Sequence, residues 1–245
     1  MVDRLEDAIV GDIVAADSRA AGVFDRFGID FCCGGRRSLT DACRSAAADP
    51  SAVIHALSAL QPQREDSADV THWRLDRIID HIIATHHSYI RSVVLTIARQ
   101  LAKLRDVHGS RHPELACAAS VFDELSADLE QHLTKEEQVI FPYVRDLAEH
   151  EARGFGVFLS PFGTVETPLA MLEREHREAA DQMRVIRELT GGYAVPADGC
   201  ATYAACMSEL AEFEHDLHRH VHLENNVLFP RAVALERASR RHDRG

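Results

Sequence analysis

Long apolar runs are missing from this chain. No stretch of about 18 apolar residues exists to span a bilayer, and the opening MVDRLEDAIVGDIV lacks the basic-then-apolar order of a secretory signal. A cytoplasmic protein with no membrane partner is the expectation. Positive charge is scarce too. Against 39 Asp and Glu stand 27 Lys and Arg, a net charge of −12, which argues against nucleic acid or an anionic membrane as partner. Five arginines beyond position 230 (Arg231, Arg237, Arg240, Arg241, Arg244) form a local basic tail, read as a solvated, frayed end. The six cysteines show no CxxC spacing, so neither a zinc knuckle nor a thioredoxin-type pair is indicated. Cys117, Cys200 and Cys206 lie in Ala-rich helical stretches and are expected as small core residues. Period-2 alternation is almost absent, which speaks against a sheet.

Histidine, by contrast, is abundant: fifteen in 245 residues, thirteen of them between positions 72 and 222. The polar stretch QPQREDSADVT, residues 61–71, reads as a linker between residues 1–60 and 72–235, with 236–245 as the basic tail. Residues 1–60 read as short helices. Apolar periodicity runs through LEDAIVGDIVAADSRAAGVFDRF, and a Gly-rich turn follows. Ser38-Leu-Thr-Asp41 then resembles a capping box, and Asp49-Pro50 supplies a cap with proline at the first helical position. Phe24, Phe27 and Phe31 could give this part an apolar surface for self-association; the sequence leaves the oligomeric state open, with a homodimer as one outcome. Residues 72–235 read as four long helices, about 73–104, 115–149, 168–190 and 199–237. Joined in series, they pack most economically as an antiparallel four-helix bundle, so the predicted class is all-α.

Two segments inside those helices echo each other: HLTKEEQVIFP, residues 132–142, and HVHLENNVLFP, residues 220–230. Six of eleven positions match, taking Ile140 with Leu228, and each pair is 88 residues apart. His132 and Glu136, like His220 and Glu224, are four apart and share a helix face. That face is apolar, carrying Leu125, Leu129, Val139 and Ile140 in one copy and Phe213, Leu217, Val227 and Leu228 in the other. The preceding helices add histidines at apolar centres. His176 lies among Leu169, Leu172, Ala180 and Met183, and His86 or His87 lies on the first helix, where the stripe Ile79, Ile82, Ile90, Val93 centres on His86.

A buried carboxylate without a partner costs several kcal/mol and a buried unsatisfied imidazole about 1–3 kcal/mol. Two of the first and four of the second exceed the roughly 5–15 kcal/mol that stabilises a domain. No Lys or Arg occupies these face centres, so the balancing charge is a metal. Imidazole and carboxylate donors from facing helices suit two cations bridged by the carboxylates, and suit iron better than tetrahedral zinc. Pro142 and Pro230 sit within continuing apolar periodicity. Each is expected to free a carbonyl, that of Gln138 or Asn226, and to kink the helix so that the bundle widens beside the metals.

With FCCGG at residues 31–35, the copies HLTKEEQVIFP and HVHLENNVLFPRA make the chain resemble the iron–sulfur cluster repair di-iron proteins, the RIC family, along nearly its whole length. The resemblance implies a hemerythrin-like bundle with a non-haem di-iron centre, joined to a small helical N-terminal domain bearing the Cys-Cys-Gly-Gly motif. It implies His87, His132, Glu136, His176, His220 and Glu224 as ligands. The family's pattern of a ligand histidine four residues before an arginine selects His87, through Arg91, where the apolar stripe centres on His86. Glu136 and Glu224 would bridge two iron ions that also share an oxo or hydroxo bridge. Such a core keeps positive charge in an apolar interior, and Glu175, beside His176, is the candidate acid to offset it. The implied function is repair of iron–sulfur clusters damaged by nitric oxide or oxidative stress, by donating iron or removing nitric oxide. Damaged iron–sulfur proteins are the implied partners, and nitric oxide or oxygen the small ligands.

Cys32 and Cys33 are the candidates for redox exchange or iron transfer. Arg36, Arg37 and the helix start behind them are expected to favour the thiolate. Adjacent cysteines rarely bond to each other. Two rival functions share the ligand pattern: an oxygen-binding or oxygen-sensing hemerythrin, whose ligand sets are richer in histidine, and a di-iron nitric oxide reductase. The ligand set together with FCCGG favours repair.

Overall fold

Short polar caps start two of the N-terminal helices where the sequence places them. In the computed structural model, which describes residues 5–60, 70–154 and 160–242, α1 is Val10–Ala16, α2 Ala20–Arg26, α3 Leu39–Ser45 and α4 Pro50–Ser58. Ser38 Oγ accepts the Asp41 N–H at 3.2 Å, and Asp49 Oδ1 accepts the Ser51 N–H at 3.0 Å. Both satisfy amides that a helix start leaves without an internal partner. Apart from Val70 and Thr71, which open a 3-10 turn, the expected linker 61–71 lies outside the described residues, as do residues 155–159 of the irregular segment.

The long helices follow. α5 (Leu75–His81) passes through a wide turn, Ile82–His87, into α6 (Ser88–His108). α7 (Glu114–Lys135) passes through Glu136–Ile140 into α8 (Phe141–Ala152). α9 is Glu166–Leu189, and α10 (Ala201–His222) passes through Leu223–Leu228 into α11 (Phe229–His242). The chain is all-α, as the periodicity implies. Among the described residues the one β contact is an isolated bridge, Ile9 with Ser38, and no helix is long and apolar enough to cross a membrane.

The wide turns are π-helical and sit at the histidine–glutamate motifs. The Phe141 N–H bonds the Glu136 carbonyl, five residues back rather than four, and the Phe229 N–H bonds the Glu224 carbonyl in the same way. Proline comes after each phenylalanine and supplies no N–H. The helix therefore absorbs the missing donor by widening and then continues. A third wide turn ends with the Ser88 N–H on the Ile83 carbonyl. Each inserts one residue and rotates the downstream helix by about 100° relative to an unbroken one. Uninterrupted periodicity misplaced Val139 for this reason: it is 44% exposed, while Ile140 is buried.

By contacts the chain divides into two compact units: residues 81–142 with 174–217, and residues 1–80 with 143–173 and 218–245. In the first, Leu101, Leu104, Leu115, Phe122, Met183, Ile186, Leu210 and Phe213 are buried. Phe122 of α7 meets Phe213 of α10 edge-on at 5.6 Å. Burying each such side chain stabilises by about 1.5–3 kcal/mol. In the second, Phe24 and Phe31 are buried against one another, their ring centres 6.2 Å apart. The apolar surface expected of Phe24, Phe27 and Phe31 is thus mostly interior, and Arg26 covers Phe27.

The start of the basic tail is helical rather than frayed. α11 runs to His242, Leu235 and Ser239 are buried, Arg237 pairs with Glu166 at 2.6 Å, and Arg240 pairs with Glu236 at 3.5 Å. Glu236 is the polar anchor of this unit. Its carboxylate accepts from the Tyr143 hydroxyl, the Val165 N–H and the Thr164 hydroxyl. Burial pushes its carboxyl up, but those three donors and Arg240 outweigh burial and hold it below the ordinary value. Its contribution to stability is therefore present above the unfolded-state pKa and is lost as pH falls through the folded one. Glu236→Gln is expected to cost about 2 kcal/mol at neutral pH and to flatten the acid limb of the stability curve, measured by denaturant unfolding between pH 7 and 3.

Candidate metal centre

In the unit of residues 81–142 and 174–217, four of the predicted site residues come together and all are buried: His87, His132, Glu136 and His176. His132 Nδ1 lies 2.8 Å from Glu175 Oε2, and Lys135 holds the other oxygen at 2.6 Å. His87 Nδ1 lies 2.7 Å from Glu137 Oε1, and Arg91 Nη1 donates to the same oxygen at 2.7 Å. Burial pushes the carboxyls of Glu175 and Glu137 up. Hydrogen bonds from Lys135 and His132 in one case, and from Arg91 and His87 in the other, outweigh it and hold both below the ordinary range. Ionised carboxylates only accept, so each Nδ1 must be the donor.

That assignment leaves each neutral ring with a bare lone pair on Nε2, and both lone pairs face a carboxylate. His132 Nε2 is 3.2 Å from Glu136 Oε1, and His87 Nε2 is 3.4 Å from Glu136 Oε2. His176 Nε2 is 2.9 Å from His132 Nε2 and 3.9 Å from Glu136 Oε1. Lone pairs converging on a carboxylate repel it, and a cation among them reverses the sign. Protons would do so by making buried imidazolium ions, which burial disfavours. A metal ion does so while keeping the rings neutral, with carboxylates orienting the ligating imidazoles from behind. Ligand atoms of His132, Glu136 and His176 all lie within 4.8 Å of one another, so the cluster can hold a metal ion.

Geometry also separates the two adjacent histidines. His87 faces Glu136 and stacks on Phe141 at 5.6 Å, while His86 Nδ1 lies 2.9 Å from Asp216 Oδ1. The stripe that centred on His86 assumed an unbroken period, and the wide turn Ile82–His87 breaks it. Arg91 acts by pinning Glu137, which in turn pins His87. Glu175, singled out for standing beside His176, reaches His132 instead.

In the other unit, His220 and Glu224 are fully buried, with Nε2 and Oε1 3.1 Å apart. Two residues beyond Glu224, Asn226 fastens the Cys-Cys-Gly-Gly loop. Its Nδ2 donates to the carbonyls of Phe31 at 3.2 Å and Cys32 at 2.9 Å. The ring of His222 packs on Phe31, 5.9 Å between centres, and burial pushes its pKa down to about 4. His218 Nδ1 meets Asp25 Oδ1 at 2.9 Å.

Cys32 is buried and Cys33 half-buried, and Asp30 Oδ1 accepts from both of their amides and from Cys32 Sγ. The thiolate expected at Cys32 is not favoured. Its pKa is pushed up by the hydrogen bond with Cys33, then by burial, then by the charges of Cys33 and Asp30. The guanidinium groups are engaged elsewhere: Arg36 with Glu173 at 2.7 Å, and Arg37 with Asp30 at 3.9 Å and Ser45 at 3.0 Å. Ligand atoms of Asp30, Cys32 and Cys33 lie within 4.8 Å of one another.

The sequence reading missed the side-chain roles of Glu137 and Asn226. The signal was there, because the repeat breaks at Glu137 against Asn225 and at Gln138 against Asn226. Those mismatches mark where the two halves do different work.

An all-α fold with buried histidine–glutamate clusters defines a helical cation-binding protein. Residues 78–232 match the family model described as the hemerythrin HHE cation binding domain, and residues 6–61 match a domain of unknown function, DUF542. The chain is 33% identical over 233 residues to the iron–sulfur cluster repair protein YtfE of Dickeya chrysanthemi (strain Ech1591), covering 94% of this chain and 98% of that protein. It is 34% identical over 230 residues to the protein of that name from Yersinia pestis (strain Pestoides F), covering 93% and 97%. The chain belongs to the hemerythrin-domain family of iron–sulfur cluster repair proteins.

The loop offers a direct test. A Cβ on Gly35 would lie 2.4 Å from the Phe31 carbonyl oxygen and 2.5 Å from Asn226 Oδ1. Gly35→Ala is expected to lower stability by about 2 kcal/mol and to raise amide exchange in residues 30–37, read by hydrogen exchange and thermal unfolding.

Proposed function

We propose that this protein holds two iron ions on His87, His132, Glu136, His176, His220 and Glu224, and repairs iron–sulfur clusters damaged by nitric oxide or oxidants. Glu136 and Glu224 would be the carboxylates shared by the two irons, which would also carry an oxo or hydroxo group. The observation that carries the reading is Glu136: buried, and facing imidazole nitrogens whose other nitrogens are committed to Glu137 and Glu175. The exact repeat of the His-x3-Glu motif 88 residues on supports His220 and Glu224 as the matching half. When bound, the irons supply two adjacent binding positions, two reducing electrons and exchangeable metal for a depleted cluster.

The protein's own residues do the rest. Glu137 and Glu175 hold the imidazoles in the ligating tautomer, and Phe141 walls one ring from water. We assign redox exchange or iron transfer to Cys32 and Cys33, on the DUF542-matching segment of residues 6–61. The division into residues 1–60, 72–235 and a terminal segment belongs to the same proposal. Damaged iron–sulfur proteins are the partners, and nitric oxide or oxygen the small ligands. The relatives named for cluster repair, matched over almost their whole length, favour this function over oxygen carriage.

Purified anaerobically, the protein is expected to carry about two coupled irons by metal analysis and Mössbauer spectroscopy. The Glu136→Ala, Glu224→Ala double variant should lose the coupled pair. The wild type, and not that variant, should restore activity to a nitric-oxide-treated iron–sulfur enzyme. Reversible oxygen binding with no repair would overturn the reading in favour of an oxygen carrier. Glu175→Gln is expected to weaken iron affinity about 10–100-fold, measured by chelator competition.

A further inference from the structure

His87 adjoins one end of α6. At the other, about 30 Å along at ~1.5 Å per residue, a second cluster of reactive side chains gathers in the same unit. Cys200 was expected in the core, but it is exposed. It stands immediately before α10, a helix of 22 residues, where the Ala204 N–H bonds its carbonyl. The backbone amides of Tyr203 and Thr202 at the helix start favour a negative charge on its sulfur. His108, the last residue of α6, is 4% exposed and places Nε2 3.4 Å from Cys200 Sγ. Among the described residues, Nδ1 of His108 is buried with no hydrogen-bond partner. The ring therefore has one polar contact, and that contact is the sulfur. Tyr203 packs edge-on against His108 at 5.6 Å, which fixes the ring plane.

The surrounding charges agree. Asp198, two residues before Cys200, would repel a thiolate, but it is tied to His112 and to Arg111, each at 3.0 Å. His112 also meets Glu114 at 3.1 Å, and its pKa is raised by these two acids. Lys103 bonds Thr202 Oγ1 at 3.4 Å, adding a cation beside the helix start. The acids facing this corner are paired, while His108 and the amides of α10 are directed at the sulfur.

We propose that Cys200 is a redox modification site: its thiolate, held by His108 and the N-terminus of α10, undergoes exchange with the disulfide of a small thiol such as glutathione. The Cys200 sulfur attacks one sulfur of the disulfide. A new S–S bond forms as the old one breaks, and the departing thiolate leaves with the electron pair and takes a proton from water. Cys200 is oxidised and half of the small disulfide is reduced, so no further oxidant is needed. The inference is independent of the iron reading, because none of these residues belongs to the proposed metal site.

Agreement comes from the sulfur's acidity, which the His108 hydrogen bond and then the α10 amides lower from 9.0 to about 7. At pH 7 such a thiol is roughly half ionised, against roughly 1% for one at 9. Falling nucleophilicity returns part of that advantage, which leaves a net gain of about fivefold.

The test uses the iron-loaded full chain and glutathione disulfide, with adducts located by peptide mass mapping from pH 5 to 10. Cys200 is expected to be modified before Cys117, the exposed reference cysteine of α7, with a rate half-maximal near pH 7. His108→Gln should slow Cys200 by up to about fivefold at pH 7 and move the midpoint toward 9, while Cys200→Ser should lose the adduct and keep its iron. Reaction no faster than at Cys117, or a wild-type midpoint near 9, overturns the proposal. The wild-type profile decides the matter even if His108→Gln fails to fold.

Discussion

Glu136 is a carboxylate with no access to water, and imidazole nitrogens face both of its oxygens. Everything around it acts to keep that arrangement from relaxing. Lys135 and Arg91 lie outermost, Glu175 and Glu137 come next, the rings of His132 and His87 lie inside them, and Glu136 is at the centre. Each layer fixes the protonation of the one inside it. The outer cations keep the second layer ionised, the ionised acids force Nδ1–H, and the forced tautomer turns a lone pair inward. A centre built this way attracts a cation before any ligand arrives.

Backbone geometry serves the same end. A carboxylate and a histidine four apart share a helix face, but a regular helix turns away too soon to present them and then bury an aromatic wall. Proline after Phe141 and after Phe229 removes an amide, and the wide turns at Glu136 and Glu224 absorb the loss. The phenylalanine before the proline is carried inward. At Phe141 it stacks on a ring that faces Glu136.

The two copies then diverge. Glu137 supports a histidine of its own unit, whereas its counterpart Asn225 carries no charge. Asn226, where the first copy has Gln138, grips the carbonyls of Phe31 and Cys32. The helix of His220 and Glu224 thus holds the Cys-Cys-Gly-Gly loop through one side chain, and Gly35 is required because a Cβ has no room beside that amide.

Local features were legible in the amino-acid order: the caps at Ser38 and Asp49, the four long helices, the His-x3-Glu faces and their repetition. They arise from hydrogen bonds and periodicities that span four or five residues, so the neighbours that decide them are adjacent in the chain. Folding in three dimensions was needed to turn His87 toward Glu136 and His86 toward Asp216, to turn Val139 outward, to bury Phe24 and Phe31, and to set Cys200 at a helix end under His108. It also pushed the Cys32 thiol's pKa up, through the contact with Cys33, burial and the charge of Asp30. A one-residue slip at a wide turn rotates every later side chain, and a side chain's charge state depends on groups brought near from distant segments. Neither quantity is carried by a local window of sequence.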